Sequence, residues 1–348
     1  MIQSKYRLPE RLLHGAALAW PAIPQLSLAI ESALTSSTPQ AEGRHVFVAG
    51  LARAGTTVLL NALYSTGKFC SLTYRNMPFV LMPGVWGRIA RSFREAGERS
   101  ERAHGDGIMV DFDSPEALEE VFWRCHCGSD YITPSHLRPH EVEGETLSLY
   151  RRYVSKVVAS CGDGTARYLS KNNNNILRLS AISTAFPDAC ILIPFREPIQ
   201  QAASLLRQHT RFCEMHRGDS FSRNYMKWLA HHEFGLTHKP FAFEPGPCAP
   251  SKLDSTQLSY WIETWCGAYS YLLSNKPANA RFACFERLCQ EGAATARTDI
   301  LEPCQLDVDP TEFAARFVSP EAHPAGAAST ALHKRASRIY EELLATCP

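Results

Sequence analysis

Residues 45–64 read HVFVAGLARAGTTVLLNALY, and the rest of the chain is organised around this stretch. A short run of β-branched and aromatic residues ends at Gly50, and from Thr56 onward the apolar residues follow the helical period. The pattern predicts a strand, a tight loop and a helix. Glycines at both ends of such a loop let backbone N–H groups converge on an anion, and the positive end of the helix dipole adds to the attraction.

The loop has the glycine spacing of a nucleotide-binding P-loop but lacks its lysine. Gly50 and Gly55 are spaced as in G-x-x-x-x-G-K-[ST], whereas Thr56 occupies the lysine position and the cation, Arg53, lies inside the loop. Without the lysine, the loop has no ammonium group for the outer phosphates of ATP, but Thr56 and Thr57 still offer hydroxyl and N–H groups to one phosphate. The alternative interpretation is an ordinary strand–helix turn that contains two glycines.

Two strand–helix units later in the chain predict an α/β fold with a mainly parallel central sheet. Residues 167–170 form a predicted strand that ends at Lys171, and residues 189–195 form another that ends at Arg196. Successive units of this kind join parallel strands by right-handed crossovers. Because ligands bind at the carboxyl ends of parallel strands, we expect Lys171, Arg196 and the Gly50 loop to converge at one edge of the sheet.

These segments resemble the sulfotransferases that use 3′-phosphoadenosine-5′-phosphosulfate (PAPS). Residues 53–57 are similar to the loop that binds the 5′-phosphosulfate in that family, and Arg196 followed by Ser204 is similar to its 3′-phosphate segment. The resemblance implies a P-loop-like domain that transfers a sulfuryl group from PAPS to a hydroxyl or amine, releasing 3′,5′-adenosine bisphosphate (PAP), without a metal. The cofactor-binding residues that it implies are Arg53, Ala54, Gly55, Thr56, Thr57, Arg196 and Ser204.

The resemblance says less about the catalytic residues. Lys171 matches a lysine of the cytosolic sulfotransferases and is expected, with Arg53, to stabilise charge on the leaving phosphate. Asn173 falls where those enzymes have the histidine that deprotonates the acceptor, and asparagine cannot act as a base. The base stays unassigned, and His104 is the first candidate because histidine has a suitable unperturbed pKa and a glycine follows it. The other candidates are Asp106, Asp111, Asp113, Glu119 and Glu120.

Two other functions stay open at this stage. A P-loop kinase would need the missing lysine and an aspartate after the later strand to hold Mg²⁺, and neither is present. A catalytically inactive relative that binds PAPS or PAP is compatible with the unassigned base. No motif identifies the acceptor, so small molecules, carbohydrates, lipid-linked groups and peptide tyrosines are all candidates. The sequence carries no signal for an oligomeric state.

The chain is expected to form a single three-layer α/β domain, residues 44–348, preceded by a helical extension and linker, residues 1–43. Helical insertions on the acceptor side are predicted at about 85–165 and 207–280. The first includes a helix that begins at Ser114, with serine as the N-cap and proline at the first position. The formal net charge of +1 does not favour nucleic acid as a partner.

The composition and the N-terminus predict a cytoplasmic protein. The 12 cysteines contain no Cys-x-x-Cys pair, so we expect mostly buried thiols in a reducing compartment. The apolar part of residues 1–34 is interrupted by Pro21 and Pro24 and is shorter than the ~20 apolar residues that a spanning helix needs. No integral membrane span is predicted, while peripheral contact through this segment stays open. The three histidines at 231, 232 and 238 are expected at the surface and not at a metal.

Overall fold

A sheet of five parallel strands lies at the centre of the structure, a computed structural model that describes residues 7–35, 44–93, 100–101, 109–162, 166–243, 253–320 and 329–348. The strands of this sheet are β1 (Val46–Val48), β2 (Phe69–Cys70), β5 (Arg167–Lys171), β6 (Cys190–Phe195) and β7 (Ala280–Cys284). Two further strands, β3 (Ser100–Glu101) and β4 (Met109–Val110), form a separate antiparallel pair.

Helices surround the sheet. In chain order the α-helices are α1 (Leu8–Leu18), α2 (Ala22–Leu34), α3 (Thr56–Tyr64), α4 (Pro83–Phe93), α5 (Glu120–Tyr131), α6 (Gly144–Ser160), α7 (Leu179–Ala185), α8 (Pro198–Gly218), α9 (Ser220–Trp228), α10 (Leu258–Asn275), α11 (Phe285–Gln290), α12 (Ala293–Thr295), α13 (Pro310–Ala314) and α14 (Thr330–Leu344). Short 3₁₀ turns occur at Tyr74–Asn76, Asn173–Leu177 and Gly235–Thr237, and a π-helical turn at Ala296–Leu301.

The sheet is covered on both faces, which confirms the predicted α/β class. Its strand order is β2-β5-β1-β6-β7, and all pairs are parallel. Alternate residues of a strand point to opposite faces. Accordingly Val46 and Val48 of β1 belong to one apolar core with α3, whereas Phe47 belongs to the larger core with α6, α8 and α10. This double burial explains why β1 and β6 are continuous apolar runs.

The register of the strands aligns the ends that carry the predicted site. Val48 pairs with Lys171 on one side and with Leu192 on the other, and the N–H of Asn172 donates to the carbonyl oxygen of Val48. Strand β6 runs on to Phe195, which pairs with Cys284, so Arg196 and the start of α11 follow at the same edge. The loop after β1, Lys171 and Arg196 therefore meet at the carboxyl edge, as predicted.

The helix predicted from Ser114 begins instead at Glu120. The Ser114 hydroxyl does not cap a helix, because it donates to the Asp111 carboxylate and accepts from the Asp111 N–H. Backbone pairing also holds this segment extended, since the Ser114 carbonyl accepts from Tyr74 and the Glu116 N–H donates to Leu72. Pairing with residues 72–75, which are distant in the chain, outweighs the local helix signal.

The prediction of mostly buried thiols is confirmed for the described cysteines, with the exception of one pair. Cys70, at the end of β2, and Cys161, directly after α6, form a disulfide with a Cα–Cα distance of 6.1 Å. The other cysteines of the described ranges are free thiols, most of them buried. No helix among the described residues has the length and hydropathy to cross a membrane.

A buried ion pair connects α5 to the turn that follows β5. Glu120 and Arg178 are fully buried and 2.7 Å apart, and Tyr131 and Asn172 also donate to the Glu120 carboxylate. Burial alone would raise the pKa of Glu120, but the attraction of Arg178 and these hydrogen bonds hold it below its ordinary value. The pair therefore contributes stability that is present above the unfolded-state pKa, about 4.3, and is lost as the pH falls through the folded-state pKa.

We expect Glu120→Gln to lower the free energy of unfolding by about 3–5 kcal/mol at pH 7, because it leaves the Arg178 charge buried without a counter-ion. The matched control is Glu263→Gln, which removes a part-exposed partner of Arg335 and should cost less than about 1 kcal/mol. Urea denaturation at pH 7, 5 and 3.5 measures both. The penalty of Glu120→Gln should shrink below pH 4.3, and a penalty that grows with acidity would contradict the assignment.

Candidate functional site

The loop between β1 and α3 has the backbone of an anion cradle. Arg53 and Gly55 adopt left-handed conformations, with φ of 68° and 87°. Gly55 is the N-cap of α3, and its carbonyl accepts the first helical hydrogen bond, from Leu59. Since glycine has no side chain with which to cap the helix, the N–H groups of the first turn, beginning at Thr56 and Thr57, are disposed toward a ligand.

Gly55 is required at its position for two independent reasons. Its positive φ is strained for any residue with a Cβ atom. In addition, a Cβ atom at Gly55 would lie 2.3 Å from Cδ2 of Phe285, the first residue of α11. The loop thus packs directly against the end of β7, the edge strand that is two positions from β1 in the sheet.

Gln201 fastens the loop to β6 and to the larger core. Its amide Nε2 donates to the carbonyl oxygen of Ala52 at 3.0 Å. Its Oε1 accepts from the N–H of Arg196 at 3.2 Å and from Nε1 of Trp265 at 3.0 Å. Gln201 is fully buried, so both its donor and its acceptor need partners. The Gln201 side chain therefore fixes the positions of the loop, the Arg196 backbone and α10 relative to one another.

The structure brings Arg53, Arg196 and Ser204 together. Arg53 Nε donates to the Ser204 hydroxyl at 3.1 Å, and Arg196 Nη1 donates to the carbonyl oxygen of Arg53 at 3.4 Å. The Arg196 guanidinium also lies over the Phe285 ring, 5.4 Å from its centroid, and its Nε is 3.6 Å from Glu286 Oε1. The residues predicted to hold two phosphates of one ligand therefore adjoin each other.

Arg196 retains an unused donor. Its Nε is buried and makes no hydrogen bond with the described residues, and the 3.6 Å contact with Glu286 is an ion pair that is too long for one. Buried donors without a partner are rare in native proteins, and they often mark a place that a ligand satisfies. The donor and the Gly55 cradle together fit a phosphate-bearing ligand.

Arg207 is a third guanidinium at this site, and the sequence analysis did not identify it. Burial, and then the charges of Arg53 and Arg196, lower the pKa of Arg207, so the three arginines repel one another. Arg207 lies three residues after Ser204 on α8, and residues at this spacing share a helix face. That spacing was a signal in the sequence. A bound anion would relieve the repulsion.

Lys171 and Asn173 occupy the same edge on the other side of β1. Lys171 is buried as the last residue of β5, level with Val48. Asn173, two residues further on, donates from Nδ2 to Oε1 of Glu233 at 3.1 Å. Glu233 also lines a small pocket with Leu51 and Ala52 of the loop. A carboxylate that is not among the bases predicted from the sequence thus stands beside the loop.

The prediction of surface histidines is wrong for His232, and His238 is only partly exposed. His232 is buried, and its Nδ1 hydrogen-bonds the carbonyl oxygen of Thr237. Burial, and then the neighbouring His209, lower the pKa of His238 to about 3, and its ring bonds the His232 carbonyl and the Tyr260 hydroxyl. Through these hydrogen bonds the two rings hold the segment that carries Glu233.

The other carboxylates proposed as the base have different surroundings. Glu119 accepts hydrogen bonds from Trp123, Asn175 and Tyr168, and Glu120 is paired with Arg178, as described above. The charges of Asp113 and Asp111 raise the pKa of Tyr64, after the larger effect of its burial. Tyr64 ends α3, about 12 Å along the helix from the loop.

His104 and Asp106 lie outside the described residues and stay predictions.

The fold and the loop define an α/β protein with a glycine-containing strand–loop–helix at the edge of a parallel sheet. Residues 45–240 match the model described as the sulfotransferase family. Because this match spans more than half of the chain, the protein belongs to the sulfotransferase family and is a transferase enzyme.

Solved structures of bacterial sulfotransferases are similar to this chain. A sulfotransferase of Mycobacterium avium aligns with a TM-score of 0.50 and 14% identity, over 99% of this chain and 87% of that one. A sulfotransferase of Mycobacterium tuberculosis aligns with a TM-score of 0.47 and 13% identity, over 93% and 83%. At such identities the Mycobacterium avium structure shows a shared fold and nothing further. No curated protein sequence matches this chain.

We expect Gly55→Ala to be more destabilising than Gly67→Ala. Both glycines have positive φ, so both substitutions should cost about 1–2 kcal/mol from backbone strain. Only at Gly55 does the new methyl group overlap a ring, since nothing lies within 4 Å at Gly67, and the overlap should add about 1–3 kcal/mol. Urea denaturation measures the difference. Equal costs would show that Phe285 moves aside freely and does not fix the loop.

Proposed function

We propose that this enzyme transfers a sulfuryl group from PAPS to a hydroxyl or amine acceptor, with PAP as the second product. The observation that carries the proposal is the cluster of Arg53, Arg196 and Arg207, with Ser204, beside the N-terminus of α3. Such a cluster suits a ligand with several phosphate or sulfate charges. When bound, PAPS supplies the sulfuryl group.

The residues of the proposed donor site divide into two groups. Arg53, the N–H groups of residues 54–57 and Lys171 would hold the 5′-phosphosulfate and stabilise the charge that grows on the leaving phosphate. Arg196, Ser204 and Arg207 would hold the 3′-phosphate, with the unused Arg196 Nε as one donor. A hydroxyl can accept one hydrogen bond and donate another, so Ser204 can keep its bond to Arg53 and donate to a phosphate oxygen.

We assign the acceptor base to Glu233. Its support is the hydrogen bond from Asn173, the residue that stands where the cytosolic sulfotransferases have their histidine, together with its place in the pocket beside Leu51 and Ala52. The carboxylate would take the proton from the acceptor as the sulfuryl group arrives, and Asn173 would hold its second oxygen in place. The base would thus be supplied not by residue 173 itself but by Glu233, which is hydrogen-bonded to Asn173.

The boundary between the N-terminal extension, residues 1–43, and the α/β domain, residues 44–348, is also a proposal. It is supported by the position of β1, the first strand of the sheet, which begins only at Val46, after α1 and α2. A cytoplasmic location stays a prediction, which the free thiols favour and the Cys70–Cys161 disulfide opposes.

We expect calorimetric titration to show PAP binding that Mg-ATP does not displace. Arg196→Ala and Arg207→Ala should each raise the dissociation constant for PAP about 10- to 150-fold, because a hydrogen bond to a charged group is worth about 1.5–3 kcal/mol. The control is Arg217→Ala, an exposed arginine ten residues further along α8, which should leave PAP binding unchanged. Preference for Mg-ATP would support the kinase alternative and contradict the proposal. PAP affinity that survives Arg196→Ala would remove the donor site described here.

We expect Glu233→Gln to lower turnover about 10²-fold or more while leaving PAP affinity unchanged, because it removes a base and keeps the hydrogen bond to Asn173. PAP release over a panel of simple phenols, sugars and primary amines measures turnover. Glu214→Gln, on the exposed face of α8, is the control. His104→Ala is assayed beside them. Loss of activity in His104→Ala, with near-normal activity in Glu233→Gln, would return the base to His104.

A further inference from the structure

The hairpin of α1 and α2 exposes an unusual amount of apolar surface. More than half of the large apolar side chains that are exposed in the described ranges belong to it: Leu8, Leu12, Leu13, Trp20, Leu26, Ile30 and Leu34. Leu12, Trp20 and Leu34 are each about two-thirds exposed. Scattered apolar side chains are normal on protein surfaces, but a contiguous group marks a place of interaction.

The hairpin also directs its polar groups inward. His14 and Glu31 are buried, and the Glu31 carboxylate accepts from the N–H groups of Gly84 and Val85 at the start of α4. His14 Nδ1 bonds the carbonyl oxygen of Glu10 at 2.7 Å. An ordinary surface helix does the opposite, with its apolar stripe against the core and its charges in water. Anchoring α2 through a buried carboxylate leaves Leu26, Ile30 and Leu34 on the outer face.

Residues 12–34 therefore present no charge to solvent. Glu31 and His14 are the only titratable residues among them, and both are buried. Such a surface differs from a protein interface, which has a polar rim with hydrogen bonds. A charge-free face fits the acyl chains of a lipid layer, and Trp20, between the two helices, is of the type that occupies the membrane–water boundary.

Cationic side chains lie beside this face. Arg7 precedes α1, and Arg88 and Arg91 are exposed on α4, the helix that Glu31 joins to α2. Glu10 is the one exposed acidic residue of α1, α2 and α4 among the described side chains. An excess of arginines beside an apolar face complements the anionic headgroups of a bilayer.

We propose that the outer face of α1 and α2 docks on an anionic lipid bilayer and lies in its interface. With 11 and 13 residues, the helices span about 16 and 20 Å, too little to cross the ~30 Å hydrocarbon core. The face would sink to the level of the acyl chains while Arg7, Arg88 and Arg91 contact headgroups. The proposal is independent of the sulfate donor and of the base.

The test is co-sedimentation of the full chain with vesicles of phosphatidylcholine and phosphatidylglycerol at 7:3, and with pure phosphatidylcholine vesicles. The wild-type protein should bind the anionic vesicles. The triple variant Leu12→Gln, Leu26→Gln, Leu34→Gln should lose at least tenfold in partitioning. Arg88→Gln and Arg91→Gln should each cost about fivefold on anionic vesicles at low salt, because a basic residue near the surface contributes about 1 kcal/mol.

The matched control is the triple variant Leu236→Gln, Leu253→Gln, Val318→Gln, which removes exposed apolar side chains elsewhere on the surface and should bind like the wild type. Circular dichroism melting should show all variants folded, since the substituted side chains are exposed. Absence of vesicle binding by the wild type, or equal binding by the two triple variants, overturns the proposal. Light scattering that shows a dimer which the α1–α2 variant dissociates would assign the face to a second copy instead, and would also overturn it.

Discussion

Three guanidinium groups, those of Arg53, Arg196 and Arg207, repel one another at the carboxyl edge of the sheet, and the structure around them holds them in place. Gln201 ties the Arg196 backbone to the loop and to Trp265, while the Phe285 ring supports both Arg196 and Gly55. The charges of Arg53 and Arg196 disfavour the charged form of Arg207, and a bound polyanion would offset this repulsion. The rigid frame and the clustered positive charge together are what a preorganised anion site requires.

A second set of charged residues, the buried ion pair of Glu120 and Arg178, has a structural role. Glu120 and Arg178 neutralise each other in the core, and Tyr131 and Asn172 complete the hydrogen bonding of the carboxylate. This network fastens the turn after β5 to α5, and so it sets the positions of Lys171 and Asn173. Glu119 is engaged in the same way by Trp123, Asn175 and Tyr168. Carboxylates that looked available for catalysis in the sequence are thus committed to holding the site's scaffold.

Short-range patterns were the reliable part of the sequence. The strand–loop–helix of residues 45–64, the strands that end at Lys171 and at Phe195, and the helix that begins after Arg196 all appear where periodicity and glycine placement predicted them. Local sequence patterns do not predict the structure where a segment forms hydrogen bonds with residues that are distant in the chain. Ser114 has every feature of a helix start, yet backbone pairing with residues 72–75 holds it extended. Cys70 and Cys161 are 91 positions apart, and no spacing rule joins them.

The candidate site likewise has some features that local sequence determines and others that depend on tertiary packing. The sequence alone determined the loop, its displaced cation and the basic residues at the strand ends, because these depend on neighbours in the chain and on the general geometry of parallel sheets. Tertiary structure decided that Arg207 joins Arg53 and Arg196, that Glu233 reaches Asn173 across 60 residues, and that α2 turns Glu31 inward and its leucines outward. Each of these depends on packing between elements distant in sequence, and hydrophobic periodicity carries no information about which faces will meet.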